Sequence, residues 1–169
     1  MPILSLAAVA RDIVNVRGEI PLHDSGLAGL GLELTEPLRV DLEARMVGEG
    51  VLVRGDIEAE LAGECRRCLV AVPIRLHDTV DLLYEPLSAA EEAELNGEVY
   101  PLPERGDELD LKPALREQVM LRIPDFVVCS ETCRGLCPQC GAELNRTACD
   151  CVPGNEPGPW DALKDIKFD

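Results

Sequence analysis

Basic residues are scarce in this 169-residue chain: Lys and Arg number 16 against 32 Asp and Glu, which gives a formal net charge of −16. A protein this acidic repels the phosphate backbone of nucleic acids over most of its surface. The charge balance therefore argues against a broad RNA-binding or DNA-binding face. It favours basic proteins as direct partners and leaves nucleic-acid contact to a local cluster of arginines.

Histidines and catalytic signatures are equally scarce. His23 and His77 are the only histidines, and the sequence contains no H-E-x-x-H, G-x-S-x-G or G-x-x-x-x-G-K-[ST] pattern. These patterns build zinc-peptidase, serine-hydrolase and P-loop sites. We therefore predict that the protein is not an enzyme. The enzymatic alternative is a thiol oxidoreductase that uses the C-x-x-C pair Cys65 and Cys68.

The first ten residues contain no basic residue and are too few to span a bilayer. The sequence therefore predicts neither a signal peptide nor a membrane anchor at this end, and we expect a cytoplasmic protein. Because the cytosol keeps thiols reduced, its cysteines are expected to bind metal rather than to form structural disulfides.

Cysteine, by contrast, is abundant, and six of the eight cysteines lie between positions 129 and 151. The unit C-P-Q-C-G at 137–141 places two thiols three residues apart, and its glycine permits the tight backbone turn that closes round one ion. Two more cysteines follow after a polar loop. We predict that a structural zinc ion is held by Cys137, Cys140, Cys149 and Cys151.

The four remaining thiols indicate a second zinc site, formed by Cys65, Cys68, Cys129 and Cys133. Such a site would tie the tail of the chain to its middle. A different register stays open, in which Cys133, Cys137 and Cys140 share one ion with a single later cysteine. Buried or disulfide-bonded cysteines are the alternative to metal binding.

From position 38 onward the hydrophobic period is two, which is typical of half-buried β-strands. Apolar residues alternate with charged ones at 38–46 and 51–61, and further strands are predicted at 12–20, 70–76 and 80–84. Short turns between them imply antiparallel pairing. The predicted fold class is α+β: an antiparallel sheet or partly open barrel with one packed helix and a C-terminal cysteine-rich zinc-binding segment.

Cys65 and Cys68 fall between two predicted strands, at the tip of a hairpin. A thioredoxin-type pair instead needs its first cysteine at a helix N-terminus, where the dipole lowers the thiol pKa. The hairpin context therefore favours metal binding over redox chemistry. Arginines near the cysteines are candidates for a local RNA contact: Arg66, Arg67, Arg134 and Arg146.

Segment 85–110 carries nine acidic residues and one basic residue. We interpret it as a solvated acidic connector with a short helix at 88–95. Its candidate contacts for a basic partner are Glu91, Glu92, Glu94 and Glu98. Asp110 is then predicted to cap a helix at 111–122 that packs on the sheet.

The predicted domain organisation is an α+β domain at 1–124 and a cysteine-rich segment at 125–169 that packs on it. Near the end, Trp160, Leu163 and Ile166 form a short amphipathic tail. We expect this tail to dock on the chain's own domain.

Four stretches of the chain resemble one protein family. They are the hairpin E-C-R-R-C-L, the helix D-L-K-P-A-L-R-E-Q-V-M-L-R-I-P, the cysteine run at 129–151 and the end W-D-A-L-K-D-I-K-F. Together they look like the bacterial YceD family, the large ribosomal RNA subunit accumulation proteins. The resemblance implies a cytoplasmic, non-enzymatic factor needed for normal accumulation of large-subunit (23S) ribosomal RNA, and it carries no catalytic residues over to this chain.

Two modes of action follow for such a factor. Because the chain is acidic, we favour an indirect mode, in which it binds a basic ribosomal or assembly protein of the large subunit and unassembled rRNA is degraded when that step fails. The alternative is direct rRNA binding by the arginines around the zinc sites. We expect neither a membrane partner nor a small-molecule substrate.

Overall fold

The computed structural model describes residues 2–86, 99–103 and 105–151. The strands and helices of this part of the chain are β1 (Ile3–Ser5), α1 (Leu6–Val9), β2 (Val14–Ile20), β3 (Leu38–Val47), β4 (Gly50–Glu64), β5 (Ala71–Glu85), β6 (Val99–Pro101), β7 (Glu108–Asp110) and α2 (Lys112–Arg122). A 3₁₀ turn at Ser25–Leu27 lies in the connection between β2 and β3. Neither α-helix in these ranges has the length and apolar character needed to cross a membrane.

Five strands form the main sheet in the order β2-β3-β4-β5-β6. The first four pair antiparallel, as the short turns predict, and β6 pairs parallel with β5. β1 and β7 form a separate two-stranded antiparallel sheet. Within the described ranges neither sheet closes on itself, so the barrel alternative in our prediction is wrong. The fold is mostly β, with open sheets and one main helix.

The main sheet has one apolar face because its strands alternate in polarity. In β3, Leu38 and Val40 are buried, while Arg39 and Asp41 are exposed. On the exposed face, side chains of opposite charge pair across strands, as Arg17 does with Asp41 at 2.8 Å. The strands predicted separately at 70–76 and 80–84 are one continuous strand, β5.

Helix α2 contributes to the core that covers this apolar face. Ala114, Leu115 and Val119 are buried in the same cluster as the inward-facing residues of β3, β4 and β5. Leu4 of β1 and Leu109 of β7 belong to that cluster too. Full burial of a leucine side chain stabilises a fold by about 1.5–3 kcal/mol. The small sheet and the helix therefore hold the main sheet from the same side.

The start of α2 differs by one residue from the prediction. Leu111 is the N-cap residue and makes no side-chain capping bond, so the prediction of Asp110 as the cap is wrong. Asp110 still contributes, because its Oδ1 accepts a hydrogen bond from the Lys112 N–H at 3.0 Å. The carboxylate thus satisfies one of the N–H groups that a helix start leaves free.

The acidic connector contains two strands that the sequence did not predict, β6 and β7. Asp107 ties its end to the N-terminal segment, since its Oδ2 accepts a hydrogen bond from the Ser5 hydroxyl at 2.7 Å. Strands of three residues are too short to show a hydrophobic period. The helix predicted at 88–95, the four candidate glutamates and the tail from 152 onward lie outside the described residues.

Candidate metal centres

All eight cysteines have free thiols, and their sulfur atoms gather in two groups of four. Site 1 comprises Cys65, Cys68, Cys129 and Cys133, and site 2 comprises Cys137, Cys140, Cys149 and Cys151. Within each site the four sulfurs lie within 4.8 Å of one another. The structure therefore brings together the two sets of cysteines that their spacing predicts. Cys133 lies in site 1, whereas Cys137 and Cys140 lie in site 2, so the alternative register in which these three share one ion is not formed.

Site 1 begins at the tip of the β4–β5 hairpin. The N–H of Leu69 donates to the Cys65 carbonyl at 2.8 Å, and the N–H of Cys65 donates to the Val70 carbonyl at 2.8 Å. These two bonds fold C-R-R-C into a tight turn that brings the thiols of Cys65 and Cys68 together. No helix begins at this turn, so the dipole that activates a thioredoxin-type cysteine is absent.

The other two thiols of site 1 come from the chain that follows α2. The N–H of Arg66 donates to the Val127 carbonyl at 2.8 Å, which aligns this part of the chain with the hairpin tip. Val128 and Leu136 pack against the buried cysteines of the site. The facing thiols are 61 and 68 positions apart in sequence, so site 1 joins the sheet to the C-terminal segment.

Site 2 is built within a single stretch of chain. The N–H of Gly141 donates to the Cys137 carbonyl at 2.9 Å, and the N–H of Cys137 donates to the Ala142 carbonyl at 2.8 Å. This is the same pair of bonds as in the C-R-R-C turn of site 1. Gly141 has a φ of 73°, which glycine adopts without steric cost. Cys149 and Cys151 complete the group from the far end of the loop at 141–148.

The sulfur geometry fits tetrahedral thiolate coordination. Zinc–sulfur bonds of about 2.3 Å at tetrahedral angles place neighbouring sulfurs about 3.8 Å apart. The sulfurs of Cys65 and Cys133 are 3.8 Å apart, and those of Cys68 and Cys129 are 3.6 Å apart. Disulfide sulfurs lie about 2 Å apart, so these cysteines are not disulfide-bonded. Four thiols without a carboxylate or imidazole suit zinc rather than magnesium or calcium. Zinc binding itself stays a prediction.

The thiols of site 1 differ in their acidity. Burial raises the pKa of Cys65, but the backbone N–H groups of Cys129, Cys68 and Arg67 together outweigh burial and lower the pKa to about 6. The N–H of Val70 lowers the pKa of Cys68, but burial and the neighbouring sulfurs raise it to about 12. The pKa of Cys133 is also lowered, chiefly by the hydrogen bond from Asn145. Two of the four thiols, Cys65 and Cys133, are therefore favoured as thiolates, the form that binds metal.

The thiols of site 2 also differ in their pKa values. The backbone N–H groups of Cys140 and Gln139 lower the pKa of Cys137 to about 6. The sulfurs of Cys140 and Cys137 raise the pKa of Cys151 to about 12. In each site the backbone N–H groups of the turn thus favour the thiolate form at the first cysteine of the C-x-x-C pair.

Arg67, one of the four arginines predicted to contact RNA, is exposed, but its guanidinium group makes hydrogen bonds within the chain. Its Nη1 donates to the carbonyls of Cys133 at 3.1 Å and Glu131 at 3.2 Å. Its own carbonyl accepts a hydrogen bond from the Leu136 N–H at 3.0 Å. Arg67 therefore holds the hairpin tip against the C-terminal segment.

The other three arginines are exposed as well. Arg146 pairs with Glu143 at 3.4 Å in the loop of site 2. Within the described ranges, the guanidinium groups of Arg66 and Arg134 make neither an ion pair nor a hydrogen bond. Of the predicted RNA contacts, these two have the side chains that are most available to a partner.

Asn145, which lies in the loop of site 2, contacts site 1 although the sequence gives no sign of this role. Its Nδ2 donates to the Cys133 sulfur of site 1 at 3.3 Å, and its Oδ1 accepts from the Arg134 N–H at 2.8 Å. A single asparagine in a cysteine-rich loop gives no periodic signal. Its partner sulfur is 12 positions away, so only the folded chain reveals the contact.

Comparison with known proteins finds relatives in mycobacteria. An uncharacterized protein of Mycobacterium tuberculosis (strain ATCC 25618 / H37Rv) is 38% identical over 131 residues, which cover 73% of this chain and 62% of the relative. An uncharacterized protein of Mycobacterium leprae is 34% identical over 127 residues, which cover 70% of this chain and 56% of the relative. This chain thus spans about six tenths of the length of the mycobacterial relatives it matches.

A plant relative and a family profile are more informative. The Large ribosomal RNA subunit accumulation protein YCED homolog 1, chloroplastic, of Arabidopsis thaliana is 39% identical over 49 residues, or 29% of this chain and 15% of that protein. No solved structure matches the chain. The profile of the family described as Large ribosomal RNA subunit accumulation protein YceD matches residues 53–167. Because this match covers more than half of the chain and includes all eight cysteines, the chain belongs to the YceD family.

Proposed function

We propose that this chain is a non-enzymatic, zinc-binding factor of the bacterial cytoplasm that supports accumulation of large-subunit (23S) ribosomal RNA. The observation that carries the proposal is the convergence of eight free thiols into two four-sulfur sites in a chain of the YceD family. The family description and the name of the plant relative supply the ribosomal role. The thiol geometry supports structural zinc.

Zinc at both sites would act structurally. Four thiolates fill a tetrahedral shell and leave no position for a catalytic water. Within the described ranges, the chain after α2 contains no strand or helix, and, apart from the C-cap of α2, only two of its backbone–backbone hydrogen bonds, Arg66 to Val127 and Leu136 to Arg67, reach the rest of the chain. Metal affinity then becomes folding free energy for this loop-rich part. We propose on the same grounds that residues 1–124 form the α+β domain and residues 125–169 a metal-stabilised segment packed on it.

The direct partner in this proposal is a basic ribosomal or assembly protein of the large subunit. On the exposed sheet face, carboxylates pair with arginines, as Glu60 does with Arg75 at 2.8 Å and Glu19 with Arg39 at 3.2 Å. Segment 85–110 instead has nine acidic residues against one basic residue. That segment therefore carries half of the net charge of −16. We propose the acidic connector, with Glu91, Glu92, Glu94 and Glu98, as the contact.

Direct rRNA binding is the second candidate mechanism. It is favoured by Arg66 and Arg134, which are exposed beside site 1 and pair with no carboxylate in the described part of the chain. Two arginines supply only a local contact, whereas affinity for an RNA backbone grows with the number of phosphates neutralised. We therefore place this mechanism second.

Affinity capture from cell lysate, with and without RNase, separates the two mechanisms. The indirect mechanism predicts that large-subunit ribosomal proteins remain bound after RNase treatment. It also predicts that they are released by salt, because exposed charges are screened over roughly 8 to 10 Å at physiological ionic strength. Loss of all ribosomal proteins after RNase treatment would contradict the indirect mechanism and support direct RNA contact.

A further inference from the structure

We propose that Asn145 is a positioning residue that couples the two metal sites, so that metal bound at site 2 raises the metal affinity of site 1. The inference rests on the zinc binding proposed above. It goes further in one respect: the metal affinity of each site depends on whether the other site is occupied. Neither the cysteine spacing nor the family description implies this.

The amide of Asn145 contacts both the loop of site 2 and a sulfur of site 1. Asn145 belongs to the loop that connects Cys140 to Cys149 of site 2, yet its Nδ2 donates to the Cys133 sulfur of site 1 at 3.3 Å. Its Oδ1 accepts the Arg134 N–H at 2.8 Å, which sets the orientation of the amide and directs the NH₂ group to the sulfur. An N–H donor on a thiolate ligand stabilises its charge and orients it.

Backbone hydrogen bonds and the cysteines of site 2 hold this loop in place. Leu144 N–H donates to the Gly135 carbonyl at 3.0 Å, and Thr147 N–H donates to the Glu143 carbonyl at 2.9 Å. The first end of the loop is also held by the two bonds between Cys137 and residues 141–142, but in the described part of the chain residues 148–151 make no backbone–backbone hydrogen bond. The far end of the loop is therefore held chiefly by its cysteines of site 2. Metal shared by these cysteines closes the loop and removes much of the entropy that Asn145 would otherwise lose on binding the sulfur. Site 2 is therefore the element that delivers the amide to site 1.

A second contact joins the hairpin turn of site 1 to the start of site 2. Leu136 N–H donates to the Arg67 carbonyl at 3.0 Å, immediately before the first cysteine of site 2. Gly135 has a φ of 74°, and a Cβ there would lie 2.9 Å from that same carbonyl, so the two chains approach closely. The turn of site 1 thus positions the start of site 2. Coupling free energy is reciprocal, so each site should raise the affinity of the other by the same factor.

The test uses the full chain and measures metal affinity rather than activity. Asn145→Asp keeps the oxygen that accepts the Arg134 N–H but replaces the donor to sulfur with a negative oxygen, and Asn145→Ala removes both bonds. Thr147→Ala is the matched control, because Thr147 is an exposed residue of the same loop. Cys140→Ser with Cys149→Ser disables site 2 and leaves site 1. Affinity for zinc is measured by competition with a chromophoric chelator, and cadmium-113 NMR reports each site separately.

We expect site 1 to lose about tenfold in affinity in Asn145→Ala and more in Asn145→Asp, as outer-shell substitutions at metal sites do. Disabling site 2 should cause a similar loss at site 1, and adding Asn145→Ala to that variant should cause little further loss, because both changes remove one interaction. The cadmium resonance of site 1 should shift in Asn145→Asp. Thr147→Ala should behave as wild type.

The outcomes separate this inference from the proposed function. If the wild-type chain binds no metal, the proposed zinc function itself fails. If it binds two ions but the affinity of site 1 is unchanged in both Asn145 variants, the coupling through Asn145 is overturned. Should the double serine variant fail to fold, the Asn145 variants still test the coupling, because reciprocity requires them to lower the affinity of site 2 together with that of site 1. A loss confined to site 1 would overturn the coupling.

Discussion

Leu69 and Gly141 occupy equivalent positions in the two C-x-x-C turns. Each follows the second cysteine and donates its N–H to the carbonyl of the first cysteine, at 2.8 Å for Leu69 and 2.9 Å for Gly141. Their φ angles are 60° and 73°, and in the described part of the chain Leu69 is the only residue other than glycine with positive φ. The C-x-x-C turn therefore requires a positive φ at the residue that follows its second cysteine, whether that residue is leucine or glycine.

This equivalence predicts unequal effects of substitution at the two positions. Gly141→Ala should lower the free energy of unfolding by about 1 kcal/mol, because alanine resists positive φ. No atom lies within 4 Å of the added Cβ, so only backbone conformation changes. Leu69→Gly should have a smaller effect, since relief of strain offsets the added entropy of the unfolded chain. Urea unfolding of the zinc-loaded variants measures both, and equal losses would contradict the prediction.

Metal content is the second prediction. Protein purified without chelators should contain two zinc ions per chain, because the structure gathers two sets of four thiols. Elemental analysis gives the stoichiometry, and less than about half an equivalent would contradict it. Alkylation of the zinc-loaded chain is the control for the redox alternative: fast modification of Cys65 alone would favour a thiol oxidoreductase.

The third prediction distinguishes a local site from a bridging one. Cys140→Ser should increase hydrogen exchange in residues 137–151 and leave β3, β4 and β5 protected, because site 2 lies within one stretch of chain. Cys68→Ser should also release residues 126–136, since site 1 bridges the hairpin tip and this segment. Identical exchange patterns in the two variants, by mass spectrometry, would show that the sites do not differ in this way.

The fourth prediction concerns acid stability. Hydrogen bonds from the Ser5 hydroxyl and the Ala7 N–H hold the pKa of Asp107 below its ordinary range. A carboxyl whose folded pKa is depressed contributes stability that is present above its unfolded pKa of about 4 and is lost as pH falls through the folded pKa. Asp107→Asn should therefore be less stable than wild type at pH 7, and the difference should shrink towards pH 2.

Thermal unfolding from pH 7 to pH 2 checks the role of Asp107. Acid also releases metal from thiolate sites, but this occurs in both chains and cancels in the difference between them. A difference in midpoint that stays constant over the whole range would mean that the Asp107 carboxylate does not stabilise the fold through its charge.

The fifth prediction tests the acidic connector. Replacing Glu91, Glu92, Glu94 and Glu98 with Gln should reduce RNase-resistant capture of large-subunit ribosomal proteins, because attraction for a basic partner is lost. A matched variant with the same change in net charge replaces four glutamates that are exposed elsewhere: Glu33, Glu43, Glu49 and Glu64. This control should capture nearly as much as wild type. Equal loss in both variants would indicate a general charge effect rather than a contact at the connector.

Direct RNA contact makes the opposite forecast for the same assay. Arg66→Ala with Arg134→Ala would weaken an RNase-sensitive association, while the connector variant would bind at least as well as wild type through reduced repulsion. Arg67→Ala is unsuitable for this test, because loss of its bonds to the Cys133 and Glu131 carbonyls disturbs site 1.

The strands β2 to β5 and the helix α2 could be predicted from the sequence to within a few residues. Polarity that alternates every residue, or repeats every three to four, is a local property that the chain displays before it folds. Cysteine spacing likewise predicted the two sets of thiols that the structure gathers, because a C-x-x-C turn places its sulfurs together through local backbone geometry.

Three features became visible only in the folded chain: the open form of the sheet, the parallel pairing of β6 and the pairing of β1 with β7. β1, β6 and β7 have three residues each, too few to carry a period, and whether a sheet closes depends on contacts between strands that are distant in sequence. The roles of Arg67 and Asn145 could not be predicted from the sequence either. Each is a polar residue in a loop, and its partner is selected by the fold that brings the two thiol sites side by side.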